Sequence, residues 1–233
     1  MDAIRLDPCC AIVDFRRYKL HSGQRDTLVE LFDREFVETQ EKVGMHVVGQ
    51  FRDLDDPDRF VWLRGFPDHA VRAEAQAAFY GGPDWKAHSR AANATMIDSD
   101  DVLMLRPVYL RDGYPQPSTS RDGDPSLIAA TIYHVTDEAA IEAAVDGFRH
   151  DVEPELGVTP LACLRTEVAP NTFPALPVRE DARVVVWLAR FADADEFDAH
   201  RVATAGVHDR LGEYLTAPPQ QLRLAPTARS QLR

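Results

Sequence analysis

The sequence predicts an α+β protein in which two similar βαββαβ halves pack their antiparallel sheets together as a barrel. Strand-like hydrophobic alternation and amphipathic helical patterns recur in the same order in both halves. Residues 109–126, rich in Pro, Gly, Ser and Asp, separate the halves and have the composition of a linker. Aromatic and glycine landmarks also repeat at a nearly constant separation, which indicates an internal duplication.

The first half, residues 11–108, contains all the elements of one βαββαβ unit. In order, the patterns predict a strand at 12–20, a helix capped by Ser22 and ending at Gly44, strands at 45–52 and 60–66, a helix at 68–79 and a strand at 102–105. A turn-rich segment at 53–58 joins the second and third strands, as expected for a hairpin.

The second half, residues 127–227, repeats this order. Its predicted elements are a strand at 127–135, a helix ending at Gly157, strands at 158–165 and 183–191, a further helix, and a strand at 221–224. Tyr18, Gly44 and Trp62 correspond to Tyr133, Gly157 and Trp187. A four-stranded sheet with both helices on one face leaves the other face bare, so we expect the two ferredoxin-like halves to cover each other as an intrachain pseudo-dimer of the dimeric α/β-barrel type.

Composition limits the possible partners. The formal net charge of −12 argues against binding to nucleic acid or to an anionic membrane, because both require a basic surface. No window approaches about eighteen uninterrupted apolar residues, so we expect no membrane span. The start of the chain lacks the pattern of an export signal, and the three cysteines form no CxxC pair, which favours a reducing, cytoplasmic location.

Alternation divides the first-half strands into an apolar face and a polar face. Val13, Phe15, Val61 and Leu63 belong to the apolar face, which we expect to pack against the helices. The polar face is expected to point into the barrel, and it carries Asp14, Arg16, Tyr18, His46, Gln50, Arg52, Trp62 and Arg64. Buried polar groups need partners, so this face is either a structural network satisfied within itself or a ligand site.

As a ligand site, the polar face would divide into two roles. His46 is the candidate proton donor or base, because its ordinary pKa lies near neutrality. Asp14, Arg16 and Tyr18 complete the candidate catalytic group. The candidate substrate-binding residues are Gln50, Arg52, Trp62, Arg64 and Trp85. The alternatives stay open: Asp14 and Arg16 pair across the sheet, His46 is a hydrogen-bonded barrel histidine, and Trp62 is a packing residue.

Several kinds of chemistry lack a motif. The sequence has no HExxH, no His-x-His and no cysteine cluster, so no metal site is predicted, although haem or a non-haem metal held by separate strands is not excluded. Gly81, Gly82 and Pro83 do not form a phosphate-binding loop, because no Lys-Ser/Thr follows them. No GxSxG elbow exists, so a covalent mechanism is not predicted, and no cofactor is predicted.

An ordered run of motifs in the first half resembles the NIPSNAP family. The run comprises VDFRRYKL at 13–20, Gly44-Met45, FVWLRGF at 60–66 and FYGGPDW at 79–85. Asp14, Arg16 and Tyr18 match the acid, arginine and tyrosine of the family's first strand. The resemblance implies the dimeric α/β-barrel superfamily, whose members include cofactor-free monooxygenases, haem-degrading enzymes, small-molecule isomerases and proteins with no known activity.

Two functional hypotheses follow. In the first, the chain is a small-molecule-binding protein or enzyme of specialised metabolism that transfers a proton to or oxygenates an acidic or aromatic substrate. Its pocket would belong to the first half, because five polar residues there correspond to apolar or small residues in the second half. At the positions equivalent to Asp14, Arg16, His46, Gln50 and Arg64, the second half has Ala129, Thr131, Thr159, Cys163 and Ala189. In the second, the chain is a non-catalytic interaction or structural barrel protein. Assembly into a further homodimer stays open.

Overall fold

The computed structural model of the chain describes residues 10–110 and 126–233. Most of the predicted linker, residues 111–125, therefore lies outside the described residues. The strands are β1 (Ile12–Leu20), β2 (His46–Asp53), β3 (Arg59–Phe66), β4 (Met96–Asp98), β5 (Val102–Leu110), β6 (Leu127–His134), β7 (Ala162–Thr166), β8 (Val184–Phe191) and β9 (Gln220–Pro226). The helices are α1 (Arg25–Leu31), α2 (Val37–Glu41), α3 (His69–Gly81), α4 (Pro83–Asn93), α5 (Glu138–Gly147) and α6 (Ala194–Ala203).

Eight strands close into an antiparallel barrel. Their order around the barrel is β1-β3-β2-β9-β6-β8-β7-β5, and β5 pairs again with β1. The halves meet edge to edge, through the β2–β9 pair and the β5–β7 pair. In the first half β1 lies between β3 and β5, and in the second half β6 lies in the same way between β8 and β9. Closure of this kind leaves the eight strands without free edges, and the short β4 pairs with the end of β1.

The barrel interior is apolar, and the expected assignment of the two strand faces is wrong. Val13, Phe15, Val61 and Leu63 pack in one core with residues of the second half such as Leu188. The helices pack on the outer surface of the barrel, where Tyr18 and Trp62 contact them. An eight-stranded barrel has just enough interior space for side chains, and apolar ones fill it without needing hydrogen-bond partners. The polar face therefore lies beneath the helices.

Helix boundaries follow local signals in most places. Gly44 and Gly157 have φ values of 99° and 65°, as expected for glycines that end helices. Asp68 caps α3, because its carboxylate accepts a hydrogen bond from the Val71 N–H at 2.8 Å. The expected cap at Ser22 is wrong, since the residue before α1 is Gln24. The α1 and α2 helices are joined by a π-helical turn at Phe32–Phe36.

A bulge in β2 changes which side chains share a face. Val47 lies opposite Arg64, but Gly49 lies opposite Leu63, so Val48 is an extra residue in the ladder. Val48 packs into the barrel interior, and Val47 packs against the helices. Simple alternation along β2 therefore fails at this point, and His46 on one side of the bulge faces away from Gln50 on the other.

Within the part of the chain that the structure describes, no helix is long and apolar enough to cross a membrane.

Candidate functional site

Asp14 is the centre of a buried charge cluster between the first-half sheet and α3. The Arg64 and Arg72 Nε atoms donate hydrogen bonds to its carboxylate at 3.1 and 3.0 Å. Gln76 Nε2 donates to the same group at 3.2 Å. Arg16 Nη1 lies 3.7 Å from it, close enough for an ion pair. All three arginines and Asp14 are almost fully buried.

The cluster holds more positive than negative charge. Three guanidinium groups surround one carboxylate, and this excess lies in a region shielded from water. Burial by itself would raise the pKa of Asp14, but the charges of Arg64, Arg72 and Arg16 outweigh burial and hold this pKa below the ordinary value. Asp14 is therefore ionised and engaged at neutral pH.

A pocket lies beside this cluster, beneath the helices of the first half. It contains about 520 Å³ of empty space, part of it continuous with solvent. Aromatic residues are the largest group in its wall: Phe32, Phe36, Trp62, Phe79, Tyr80 and Trp85. Arg16, Tyr18, Gln40, Asn93 and Ser99 supply the polar positions. An apolar pocket with a few convergent polar groups is the usual form of a small-molecule site.

Two buried donors in the pocket wall lack hydrogen-bond partners. Arg16 uses its Nε to bond the Tyr18 hydroxyl at 2.9 Å and its Nη2 to bond the Ser99 carbonyl at 3.4 Å. Arg16 Nη1 makes no hydrogen bond to any described residue, and neither does Trp62 Nε1. The Arg16 guanidinium carbon lies 5.6 Å from the centre of the Trp62 ring. An unpaired buried donor is costly, so two of them on residues that line one pocket favour an acceptor there.

Two tyrosines extend the polar wall. Tyr80 accepts a hydrogen bond from Arg64 Nη1 at 3.1 Å, and Tyr18 accepts one from Arg16. Burial raises the pKa of Tyr18 above its ordinary value, although Arg16 opposes the change. The Tyr18 hydroxyl is therefore neutral at physiological pH and can donate its proton to a bound oxygen.

His46, predicted to join this cluster, lies on the other face of the sheet. Its Nδ1 is 3.3 Å from Cys10 Sγ, and its Nε2 is 2.7 Å from Gln231 Oε1 in the C-terminal segment. Cys10 belongs to the core that fills the barrel. The β2 bulge is the cause, because it reverses the face on which residues before Val48 lie.

Gln50 and Arg52, the other predicted site residues of β2, are on the helix side but outside the pocket wall. Arg52 pairs with Asp26 of α1 at 2.9 Å, and Asp26 is mostly exposed. Gln50 is fully buried opposite Trp62, and its side-chain amide atoms have no hydrogen-bond partner among the described residues. Arg64 contacts Asp14 beside the pocket, while Arg16, Tyr18, Trp62 and Trp85 line it.

Sequence reasoning missed the contribution of α3. Arg72 and Gln76 bond Asp14, and Tyr80 bonds Arg64. These three residues are spaced four apart, so they form one stripe of the helix, and this spacing is a signal that the sequence contains. The stripe is polar although it faces the protein, because it complements the polar face of the sheet.

The second half offers a built-in comparison. Trp187 lies opposite Thr131, as Trp62 lies opposite Arg16. Trp187 Nε1, however, donates to the Tyr133 hydroxyl at 3.1 Å, and this hydroxyl is 2.6 Å from His208 Nδ1. The tryptophan donor is thus satisfied inside the second half and unsatisfied inside the first. Among residues 10–110 and 126–233, no group of three or more His, Cys, Asp or Glu side chains is arranged to hold a metal ion.

Solved structures of similar fold match more than nine-tenths of the chain. An anthrone oxidase-like protein shares 10% identity with a TM-score of 0.60, covering 93% of this chain and 91% of that chain. A candidate monooxygenase from Fusobacterium nucleatum subsp. nucleatum ATCC 25586 shares 9% identity with a TM-score of 0.58, covering 92% and 91%. Another, from Lactobacillus acidophilus NCFM, shares 10% identity with a TM-score of 0.54, covering 92% and 93%. At these identities the likeness is one of fold.

No curated protein sequence matches the chain. The NIPSNAP family model matches residues 13–110, the range that includes Asp14, Arg16, Trp62 and the whole of α3. The resemblance predicted from the sequence is therefore confirmed over this range, which is similar to the NIPSNAP family.

Proposed function

We propose that the first-half pocket binds a small planar aromatic molecule that carries an acidic oxygen, such as a phenol or the enol form of an aromatic ketone. The observation that carries this proposal is the pair of unpartnered buried donors, Arg16 Nη1 and Trp62 Nε1, in the wall of an aromatic cavity. A ligand oxygen placed between them would satisfy both donors at once.

The aromatic wall supports a flat ligand. Phe36 and Trp85 rings have centroids 5.5 Å apart, and Phe32 and Trp62 rings 4.8 Å apart, with their planes tilted or near perpendicular. Such walls present both ring faces and ring edges, which pack well against another aromatic system. The surplus of positive charge around Asp14 favours the anionic form of the ligand oxygen over the neutral form.

We propose further that the bound anion reacts with dioxygen. When the enol or phenol proton leaves, electron density rises on the ring carbon, and that carbon forms a bond to oxygen. For an anthrone the balance is complete: the CH₂ carbon becomes a carbonyl, O₂ supplies its oxygen, and the two hydrogens leave with the second oxygen as water. In this scheme Arg16 and Trp62 stabilise the negative charge, and the aromatic wall orients the ring. The anthrone oxidase-like neighbour and the two candidate monooxygenases are consistent with this reaction class.

A second candidate is a binding protein that does not transform its ligand. The placement of His46 favours it, because the predicted base lies on the barrel side of the sheet with Cys10 and Gln231. Arg16 and Trp62 would then serve recognition alone. The two candidates differ in one measurable property, which is oxygen consumption by the protein with an anthrone bound.

The chromogenic acid para-nitrophenol tests the proposed function. We expect the wild-type protein to bind it and to lower its pKa, seen as a rise of the phenolate absorbance band at fixed pH. Arg16→Met should weaken binding about tenfold to a hundredfold, the value of one or two charge-assisted hydrogen bonds. Trp62→Phe should weaken it less, and the matched second-half variant Trp187→Phe should leave it unchanged. Failure of the wild type to bind, or equal losses from Trp62→Phe and Trp187→Phe, would refute the proposal.

We also propose that the two halves descend from one duplicated ferredoxin-like unit. The shared strand order supports this, and so do two matched registers: Asp14 faces Arg64 as Ala129 faces Ala189, and Gln50 faces Trp62 as Cys163 faces Trp187. After such a duplication the first half would have kept the polar face, and the second half would have lost it.

A further inference from the structure

A loop from the second half covers part of the first-half pocket. Residues 167–183 connect β7 to β8 and cross to the outer side of the first half. Leu176 contributes to the pocket wall, and Val178 packs against the same cluster as the first-half helices. The equivalent connection in the first half, between β2 and β3, has only residues 54–58. The long loop is therefore a feature of one half alone.

Polar and aromatic contacts fix the loop on α3. Arg72 Nη1 donates hydrogen bonds to Asn171 Oδ1 at 2.9 Å and to Thr172 Oγ1 at 3.3 Å. The Phe173 ring stacks on the Tyr80 ring with centroids 6.1 Å apart and an angle of 25° between the planes. Arg72 and Tyr80 are the same residues that bond Asp14 and Arg64, so the loop rests directly on the charge cluster.

The loop is also held at both ends and from within. Its Glu167 N–H donates to the Met104 carbonyl at 2.9 Å, and its Arg179 N–H donates to the Val102 carbonyl at 2.8 Å, both on β5 of the first half. Asn171 Nδ2 donates to the Leu176 carbonyl at 2.9 Å. Asn171 thus connects Arg72 to the backbone of the residue that reaches the pocket.

We propose that this loop is the specificity element of the first-half pocket, with Leu176 limiting the size of the aromatic ligand and Asn171 positioning Leu176. The inference rests on the proposed function, because it concerns the ligand of the same pocket. In an apolar pocket, one methylene group of contact or overlap changes affinity by about tenfold to two-hundredfold. A single wall residue on a fixed loop is therefore able to discriminate between one-ring and three-ring phenols.

The second half would then contribute its loop to the first-half pocket and would have no ligand site of its own. Its own tryptophan donor is already satisfied by Tyr133, while its loop supplies a wall to the pocket where the donor of Trp62 is free to bind. The division explains why the two halves occur in one chain. A wall supplied by the partner half stays in place only if the halves remain together.

Binding of two ligands, para-nitrophenol with one ring and hydroxyanthracene with three, tests the loop. We expect Leu176→Trp to weaken the three-ring ligand at least about tenfold and to change the one-ring ligand less than about twofold. Val168→Trp is the matched control, because Val168 lies in the same loop, is 47% exposed and is not part of the pocket wall. It should leave both affinities unchanged.

Asn171→Ala keeps the test decisive if the larger side chain disturbs folding. Loss of the Asn171 hydrogen bonds should release Leu176, so the ratio of the two affinities should shift in favour of the three-ring ligand. A loss of structure alone would weaken the binding of both ligands equally. An unchanged ratio in both variants, with normal binding to the wild type, overturns the loop inference and leaves the proposed function intact. No binding of either ligand to the wild type overturns both.

Discussion

At the scale of single residues, Asp14 decides whether the polar face is stable. Its carboxylate contacts Arg64 and Arg72 directly and Arg16 at longer range, all beneath α3. The sequence left two interpretations open, a structural network or a ligand site. The geometry shows the network, because Arg64 and Arg72 both bond Asp14, and the unpartnered Arg16 donor supports the proposed ligand site.

We predict that Asp14→Asn lowers the free energy of unfolding by about 3–5 kcal/mol, because it leaves three buried guanidinium groups without their carboxylate. Urea denaturation at neutral pH measures this loss. Asp55→Asn is the control: Asp55 pairs with Arg223 at the surface, where one ion pair contributes about 0–1 kcal/mol. Equal losses in the two variants would show that the buried cluster does not contribute more than a surface pair.

The pH dependence of stability has a definite sign. The pKa of Asp14 is lower in the folded protein than in the unfolded chain, so its contribution is complete above the unfolded value of about 3.9 and is lost as the pH falls through the folded value. The difference in unfolding free energy between wild type and Asp14→Asn should therefore be constant near neutrality and narrow below about pH 4. Denaturation at a series of pH values checks it, and a difference that widens in acid would contradict it.

At the scale of elements, the β2 bulge accounts for the main error in the predicted site. Strand and helix positions in the first half followed from period and caps, and β1 was predicted over its full length. An inserted residue such as Val48 leaves no mark in a hydrophobic pattern, because Val47 and Val48 are both buried on opposite faces. The position of His46 therefore required the register with β3.

We predict that His46→Ala lowers mainly the stability of the protein, whereas Arg16→Met lowers mainly its affinity for phenols. His46→Ala should lower stability by about 1–3 kcal/mol, the cost of disturbing a buried hydrogen-bonded group, with phenol affinity unchanged within about twofold. Arg16→Met should lower phenol affinity about tenfold or more. Titration of para-nitrophenol into both folded variants gives the comparison. Loss of binding in His46→Ala alone would show that the site lies on the barrel side.

At the scale of the whole molecule, alternation predicted two strand faces but did not determine which face lies inside the barrel. Both faces are buried, one by the opposite half and one by helices, so burial does not distinguish them. The deciding factor is that a closed eight-stranded barrel leaves space only for packed side chains, whereas the helix layer can supply partners such as Arg72 to Asp14. The second-half loop at 167–183 was likewise missed, because a long connection shows no periodic pattern.

We predict that the two halves unfold together. They share one core and are joined by the β2–β9 and β5–β7 pairs, so neither half is complete alone. Trp62 and Trp85 report on the first half, and Trp187 reports on the second. The variant Trp187→Phe keeps only the first-half tryptophans, and the double variant Trp62→Phe/Trp85→Phe keeps only Trp187. In each variant, the denaturation midpoint from fluorescence should equal the midpoint from circular dichroism. Two separate transitions would contradict a single cooperative barrel.

The most direct test of the central claim is a crystal structure of the wild-type protein with a brominated naphthol, located by anomalous scattering from bromine. The account predicts a bromine peak beneath the helices of the first half, in the pocket that Trp85 and Phe36 line. It also predicts the naphthol oxygen within hydrogen-bond distance of Arg16 Nη1 and Trp62 Nε1. A peak inside the barrel beside His46, or beside Trp187 in the second half, would contradict it.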